Sequence, residues 1–470
     1  MRETSERKQT PSFKNRLLGS GLGLAALLVA ASSALPAPRA QQAEPPAQRF
    51  PNVLVLSVDT LRADHVSAYG YRRRTTPNVD RLLASGVRFT EARTVEPLTN
   101  PSLSSMFTSL YPHEHGATRN GLRVRPGLPS AALSFARRGY RTAGFVGNWT
   151  LKNRISGLGD HFQRYDEVFT RKRWLGMFKG EATAADLTDS ALAWLAEHEK
   201  STNRPFLLWV HYVEPHAPYR LQEEFAGKLG ISTSGEAPRV DRYDTEIAFA
   251  DHHIGRLLAA FERDPRLKAN TLIVFTADHG ESLGEHSYWG HGRHLFEPGL
   301  RIPLGVVWAG RIPPGVVAAP AQNIDVAPTL LSLAGLPVPE TFRGFDWAPV
   351  LRGAEPPKSR VTWYQAHKGA VLSKQEAANA RRKGLLEIAS LLDGKKEIFH
   401  LSEGKLWLFD LGADPREARS LAARGGTPSA RLRGWLDGVQ KGLATSDRLA
   451  PEEEIDPENV QQLRALGYAN

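Results

Sequence analysis

PNVLVLSVDTLRADHVSAYG, residues 51–70, opens on a near-continuous apolar run, Val53–Val58, that ends in the acid Asp59. A run without polar alternation suits a strand buried on both faces, as in a parallel sheet with helices on either side. Working outward, Thr142–Gly147, Phe206–Tyr212, Leu272–Ala277 and Leu304–Trp308 repeat it. Helical periodicity lies between these strands. Residues 78–85 run from Asn78 as N-cap to Gly86 just past the end. Residues 184–198 place Leu187, Ala191, Trp194 and Leu195 on one face. Residues 243–261 do the same with Tyr243, Ile247, Ala250, Ile254, Leu257, Leu258 and Phe261. Strand–helix alternation over residues 51–345 predicts an α/β domain with a mainly parallel sheet.

The pattern changes after residue 346. Leu385–Leu392 and Glu397–Leu401 flank the turn pair Asp393-Gly394, and Leu406–Leu411 follows Glu403-Gly404. A small antiparallel sheet is expected, closed by a helix over Asp414–Ala423. The divisions are then an α/β domain over 50–345, a small C-terminal α+β domain over 346–425 and a peripheral tail over 426–470. At the other end, Arg2, Arg7, Lys8, Lys14 and Arg16 precede an apolar run from Leu17 to Leu35 that has the small residues Ser32 and Ala34 near its exit. This order predicts an export signal over residues 1–35 and a periplasmic or secreted protein; an uncleaved membrane anchor through 17–35 is the alternative. Residues 36–49 read as a Pro/Ala/Gln linker.

The chain has 470 residues, no cysteine and a formal charge of +10. Without cysteine there are no disulfides, no thiolate metal site and no Cys nucleophile. The basic residues alternate with acids along most of the chain, so nucleic acid is not an expected partner. Attraction of anionic substrates remains a meaning for the charge.

Open α/β sheets gather ligands at the carboxyl ends of their strands. Asp59 ends the first strand, Asp278 and His279 end Leu272–Ala277, and His211 and Glu214-Pro215-His216 close Phe206–Tyr212. Thr99 lies in Pro97-Leu98-Thr99-Asn100-Pro101-Ser102, ahead of a helix that Pro101 is placed to open and that carries Met106, Phe107 and Leu110. The free N–H groups of such a helix start favour an anion. Carboxylates with an imidazole suit a divalent cation. Oxygen ligands fit Ca²⁺ or Mg²⁺, and nitrogen shifts the preference toward Mn²⁺ or Zn²⁺. A metal beside a hydroxyl lowers the hydroxyl's pKa and makes it nucleophilic. Each feature also has a bland reading, a turn-forming Asp or a capping Thr. Gly280 after Asp278-His279 allows a tight turn and makes that triplet the more specific signal.

Other residues are expected to be structural. Asp251-His252-His253 lies on the 243–261 helix, where consecutive residues point to different faces. His113 and His115 follow a Tyr-Pro turn. Asn148-Trp149-Thr150 is a formal glycosylation triplet at the end of an expected buried strand. Trp149 and Trp174 read as core.

Seven segments in order resemble the sulfatase branch of the alkaline phosphatase superfamily. They are Pro51–Gly70, Thr99–Pro112 (TNPSLSSMFTSLYP), Phe206–Tyr219 (FLLWVHYVEPHAPY), Thr276–Glu281 (TADHGE), Gly290–Leu304, Asp325–Pro337 and Leu408–Leu421. The resemblance implies an alkaline-phosphatase-like catalytic domain over 50–345. It places a divalent cation (Ca²⁺, Mg²⁺, Mn²⁺ or Zn²⁺) on Asp59, Asp278 and His279, with Thr99 as nucleophile and further metal contact. His216 matches the histidine that binds the transferring group or protonates the leaving oxygen. His291 lies beside the position of a sulfate-holding Lys. His211 and Asn148 are the candidate substrate-binding residues.

The chain departs from that pattern. Sulfatases oxidise a Cys or Ser to formylglycine, and Thr99 stands in its place. The motif's Arg is Leu103, the usual Gly-Lys-Trp-His is Gly147-Asn148-Trp149-Thr150, and the second Asp of the first pair is Thr60. A Thr ester cannot collapse to an aldehyde, so water or another acceptor must cleave it. The expected activity is hydrolysis of a small anionic ester, sulfate or phosphate/phosphonate, on a sulfated or phosphorylated glycan or lipid. The alternatives are a phospho-headgroup transferase acting on an envelope lipid or glycan, and a metal-binding pseudoenzyme.

Overall fold

The computed structural model describes residues 50–169, 171–173, 178–180, 182–369, 384–423 and 425–446. The expected export signal or anchor, the linker and Trp174 lie outside the described residues.

All five expected strands form. The main sheet has eight strands: β1 (Asn52–Val58), β2 (Val87–Phe89), β3 (Arg141–Val146), β4 (Arg164–Glu167), β5 (Phe206–Tyr212), β6 (Thr271–Ala277), β7 (Leu304–Trp308) and β8 (Gly315–Val317). Their spatial order is β8-β2-β7-β6-β1-β5-β3-β4. β1 runs parallel to both neighbours, β5 and β6, and β3 is parallel to β5 and β4. β7 is antiparallel to β6 and β2, so the sheet is mixed but mostly parallel. Every residue of β1 and β5 is buried, as expected of central strands covered on both faces.

The helices follow their apolar stripes. α1 (Pro77–Ala84), α3 (Ala184–Ser201) and α4 (Arg239–Arg263) pack on one another, with α4 between the other two. The predicted faces of α3 and α4 are buried throughout. Thr183 caps α3 through Asp186 N–H, and Asp186 returns the bond to Thr183 N–H. A second group gathers around α2 (Thr99–Thr108), which packs on the helices Ala131–Arg137 and Val326–Leu333.

Three local expectations change. α1 begins with Pro77 at its first position and Thr76 as N-cap, so Asn78 is already inside the helix. Gly86 does not close that helix with a left-handed turn. A Cβ there would lie 2.4 Å from the Val306 carbonyl oxygen, so glycine is required by the approach of β7. α2 starts at Thr99 rather than Pro101 and ends before Leu110, at Ser109 in the left-handed region with φ +52°.

The small sheet is antiparallel as expected, with β9 (Thr362–His367), β10 (Leu385–Leu392), β11 (Lys395–His400) and β12 (Lys405–Asp410) in that order. Asp393 and Gly394, at φ +49° and +76°, make the tight turn between β10 and β11. The helix predicted over Asp414–Ala423 does not form; the segment is turns and irregular chain. The cause is tertiary. Glu417 adopts φ +54° and buries its carboxylate against Lys396 Nζ at 2.7 Å and Glu297 N–H at 2.6 Å. The stretch expected as a peripheral tail contains α5 (Ala430–Ser446), with Leu432, Val439 and Leu443 buried. Its Trp435 stacks on Trp363 of β9, ring centroids 5.0 Å apart.

Candidate active site

The parallel register of three strands builds the centre. Ser57 is the partner of His211 across β1 and β5, and Val58 is the partner of Ala277 across β1 and β6. The residues that follow, Asp59 and Asp278, therefore emerge side by side at the carboxyl edge, tied by Asp59 N–H to the Tyr212 carbonyl at 2.9 Å. Between them lies Thr60, a β-branched residue at φ +55°, a conformation that costs about 1–3 kcal/mol. It is held by its own N–H on Asp278 Oδ1 at 3.0 Å and by Tyr243, whose hydroxyl donates to the Thr60 carbonyl at 2.7 Å.

His279 follows with its N–H on Asp278 Oδ1 at 2.6 Å. Its Nδ1–H donates to the Gly280 carbonyl at 2.8 Å, which leaves Nε2 as the lone-pair atom. That Nε2 is 3.5 Å from Asp278 Oδ2, 3.8 Å from Asp59 Oδ1 and 3.3 Å from Thr99 Oγ1. Gly280 is needed for close approach: a Cβ would sit 2.0 Å from the Pro298 carbonyl oxygen.

Thr99 is the first residue of α2 and is fully buried. Its segment is locked by Asn100 N–H on Asn120 Oδ1 and by Ser102, whose hydroxyl donates to the Asp278 carbonyl at 2.6 Å. Leu103, where the motif has Arg, is fully buried within the main apolar core.

His211 lies nearer the two acids than the sequence suggested. His211, Asp59 and Asp278 form the one described acid–imidazole cluster whose ligand atoms lie within 4.8 Å of one another. His211 Nδ1 shares a 2.9 Å hydrogen bond with the Ser57 hydroxyl, which accepts from the Trp209 indole N–H. Asn148 donates its amide to Asp59 Oδ2, and its own oxygen accepts from the N–H and hydroxyl of Thr150. Asn148 is thus buried on a carboxylate, and the glycosylation triplet is inaccessible.

His216 and His291 line an open pocket of about 440 Å³ with Leu98, Tyr219, Glu281 and Tyr288. The His291 ring lies 4.5 Å from that of His279 and 5.3 Å from that of His216, so the pocket meets the buried centre through these imidazoles. His216 Nδ1–H donates to the Ala217 carbonyl, and His291 Nδ1–H donates to Glu281 at 3.1 Å. Glu281, which closes the Thr276–Glu281 segment, is not among the site residues expected from the sequence.

The electrostatics fit a cation. Burial first, then the charge of Asp59, pushes the Asp278 carboxyl well above the usual carboxylate range. Burial pushes His211 down to about 4 and His279 well below its ordinary value. Burial alone would lower His291, but Glu281, then Asp59 and Asp278, outweigh it and raise its pKa. Asp278 Oδ2 and His211 Nε2 are buried and make no hydrogen bond. Adjacent buried acids, with the open lone pair of His279 Nε2 beside them, are a donor set that a divalent ion satisfies and a proton satisfies poorly.

The structural readings of other residues agree with the contacts. His115 accepts Ala117 N–H at Nδ1 and meets the Ser105 hydroxyl at Nε2. His113 bonds Gln365 and packs edge-on against Trp435. Asp251 accepts the first N–H groups of α1. Trp149 is buried.

Residues 51–336, more than half of the chain, match the family model described as sulfatase. Residues 284–428 match the model described as N-sulphoglucosamine sulphohydrolase, C-terminal. Arylsulfatase A of Homo sapiens is 29% identical over 68% of this chain and 71% of its own. Choline-sulfatase of Rhizobium meliloti (strain 1021) is 27% identical over 82% and 86%. Among solved structures, one in complex with its substrate D-glucosamine-2-N,6-O-disulfate superposes with TM-score 0.66 at 21% identity, covering 84% of this chain and 98% of that one. The phosphonate monoester hydrolase of Agrobacterium radiobacter does so with TM-score 0.64 at 21% identity, covering 84% and 96%. These two likenesses show the shared alkaline-phosphatase-like fold.

Proposed function

This chain belongs to the sulfatase family, as a sulfuric or phosphoric ester hydrolase, and from that premise we propose that Thr99 is its nucleophile. The observation that carries the reading is the 3.3 Å approach of Thr99 Oγ1 to His279 Nε2, which itself lies 3.8 Å from Asp59 Oδ1 and 3.5 Å from Asp278 Oδ2. Asp59, Asp278 and His279 are the residues to hold a divalent cation, with Thr99 completing the set. A bound cation there favours the ionised hydroxyl and neutralises charge on the transferring group.

The chain's own residues do the rest. Thr99 Oγ attacks the sulfur or phosphorus as the ester oxygen departs on the opposite side. His291, whose neighbours favour its protonated form, and His216 steady the anion and deliver a proton to the leaving oxygen. The Thr99 ester that results has no aldehyde to collapse to, so a water molecule must cleave it. A sulfated glycan is one substrate class, by the substrate of the solved neighbour; phosphate and phosphonate esters are the other, by the nucleophile. Residues 1–35 serve as an export signal in this reading. No helix of the described residues is long and apolar enough to cross a membrane.

The test is a panel of aryl sulfate, phosphate and phosphonate esters on metal-loaded protein beside Thr99→Ala. Turnover that falls by at least about a thousandfold in the variant is expected. Turnover unchanged by Thr99→Ala removes the nucleophile assignment. Transfer to an alcohol acceptor with little hydrolysis points to the transferase, and metal binding without turnover of any ester to the pseudoenzyme.

A further inference from the structure

Trp209 and His211 of β5 share one face of the main sheet with Ser57 of β1 and with Asp59 just past it, because residues two apart on a strand point the same way and Ser57 is the register partner of His211. Asp59 keeps that pairing through its N–H on the Tyr212 carbonyl. The indole of Trp209 has room there because its partner on β3 is Gly144, where a Cβ would come 3.2 Å from the ring. Phe107 packs against it edge-on with centroids 4.8 Å apart, so the indole N–H is fixed in direction.

That N–H can only donate, and it donates to Ser57 Oγ at 2.9 Å. The other partner of the Ser57 hydroxyl among the described residues is His211 Nδ1, also at 2.9 Å. Ser57 is fully buried, so its own proton goes to that nitrogen or goes without an acceptor. Nδ1 of His211 therefore carries the lone pair and Nε2 carries the hydrogen. His279 is the reverse case, with its Nδ1–H on a backbone carbonyl and its Nε2 open. The two imidazoles beside the acids thus offer opposite chemistry, one a lone pair and the other an N–H.

The oxygens of the acids divide in the same way. Asp59 Oδ1 faces His279 Nε2 at 3.8 Å, while Oδ2 faces His211 Nε2 at 3.8 Å and accepts from Asn148. Asp278 Oδ2 lies 3.5 Å from His279 Nε2, and its Oδ1 accepts from two backbone N–H groups. His211 lies behind the acids, level with Ser57 inside the sheet and fully buried, and is not part of the pocket wall that holds His216 and His291. We propose that Trp209 and Ser57 hold His211 as an Nε2–H donor, which makes His211 a positioning residue for Asp59 and not a ligand of the cation. With Asn148 it keeps Asp59 Oδ2 turned to the protein and leaves Oδ1 for the ion. This rests on the cation reading above and narrows the set that holds the ion to Asp59, Asp278, His279 and Thr99.

Nitrogen NMR on the full chain, isotope-labelled at histidine, reads the tautomer directly, and His211→Gln assigns the signal. The Nε2–H form is expected both in metal-free protein and with Mg²⁺ bound. Ser57→Ala should move the two ring-nitrogen shifts of His211 toward each other as the second form appears. Calorimetric titration with Mn²⁺ reads the consequence for the ion. His211→Leu should weaken binding by about 10–100-fold, whereas His211→Gln, which keeps an N–H donor, should stay within about threefold of the wild-type chain. An Nδ1–H form of His211, shifts that Ser57→Ala leaves unchanged, unchanged Mn²⁺ affinity in His211→Leu, or equal losses in the Leu and Gln variants overturns the assignment. A wild-type chain that binds no Mn²⁺ sinks the cation reading instead, a result distinct from these because the tautomer is read in metal-free protein.

Discussion

Asp59 and Asp278 stand side by side because the residues before them, Val58 and Ala277, are register partners on adjacent parallel strands. A one-residue slip between β1 and β6 would turn one acid away from the other and dissolve the centre. The adjacency is destabilising in itself, since two acids share a buried, like-charged site.

That cost sets a pH dependence. A carboxyl whose folded pKa lies above its unfolded value supports the fold while protonated. Burial and Asp59 put Asp278 in this class, so its contribution is present at low pH and is lost as pH rises through the folded pKa. Metal-free protein should lose stability relative to Asp278→Asn on going from about pH 5 to about pH 8. Added Mn²⁺ should raise the melting temperature more at the higher pH, because the ion then replaces a missing proton. Thermal melts with and without Mn²⁺ check this, and an ion effect that shrinks with rising pH would argue against both acids as ligands.

Asn148 anchors Asp59 through its amide, so Asn148→Ala should weaken metal binding by about 10–100-fold, as loss of an outer hydrogen bond to a ligand does. Titration with Mn²⁺ measures it. A variant with unchanged metal affinity and a raised KM would return Asn148 to the substrate-binding role expected from the sequence.

Restoring the motif's arginine should not restore a formylglycine-type sulfatase. Leu103 is fully buried, and Leu103→Arg would bury a guanidinium without a counter-ion at a cost of about 3–5 kcal/mol. Urea denaturation reads the loss. A stable variant with increased sulfate turnover would show that the core can open at this point.

Lys396 of β11 reaches Glu297 at 2.9 Å and Glu417 at 2.7 Å, all three buried, and Arg93 completes the network with Glu297. Burial alone would raise the Glu297 carboxyl, but Arg93 and Lys396 outweigh it and hold it well below the usual range. Lys396→Met leaves Glu417 buried without its cation and should cost about 3–5 kcal/mol in urea unfolding. Combining it with Glu417→Gln should recover part of that, whereas a silent Lys396→Met would mean water reaches the network.

The sequence by itself determined the strands and the acids that end them. Apolar runs such as Val53–Val58 and Leu272–Ala277 can be buried on both faces only in the middle of a covered sheet, and whatever follows such a run must emerge at its edge. Asp59, Asp278 and His279 were therefore legible, and so was Thr99 at the start of a helix. Residues that act through distant partners were not. Asn148 meets Asp59 across 89 positions of chain, and His211 meets Ser57 across 154. The Asp414–Ala423 stretch had helical character, yet Glu417 was drawn out of it by Lys396 and Glu297. Only the tertiary structure decided these, because a charged group's partner is whatever the folded chain places within a few ångströms, and local periodicity carries no record of it.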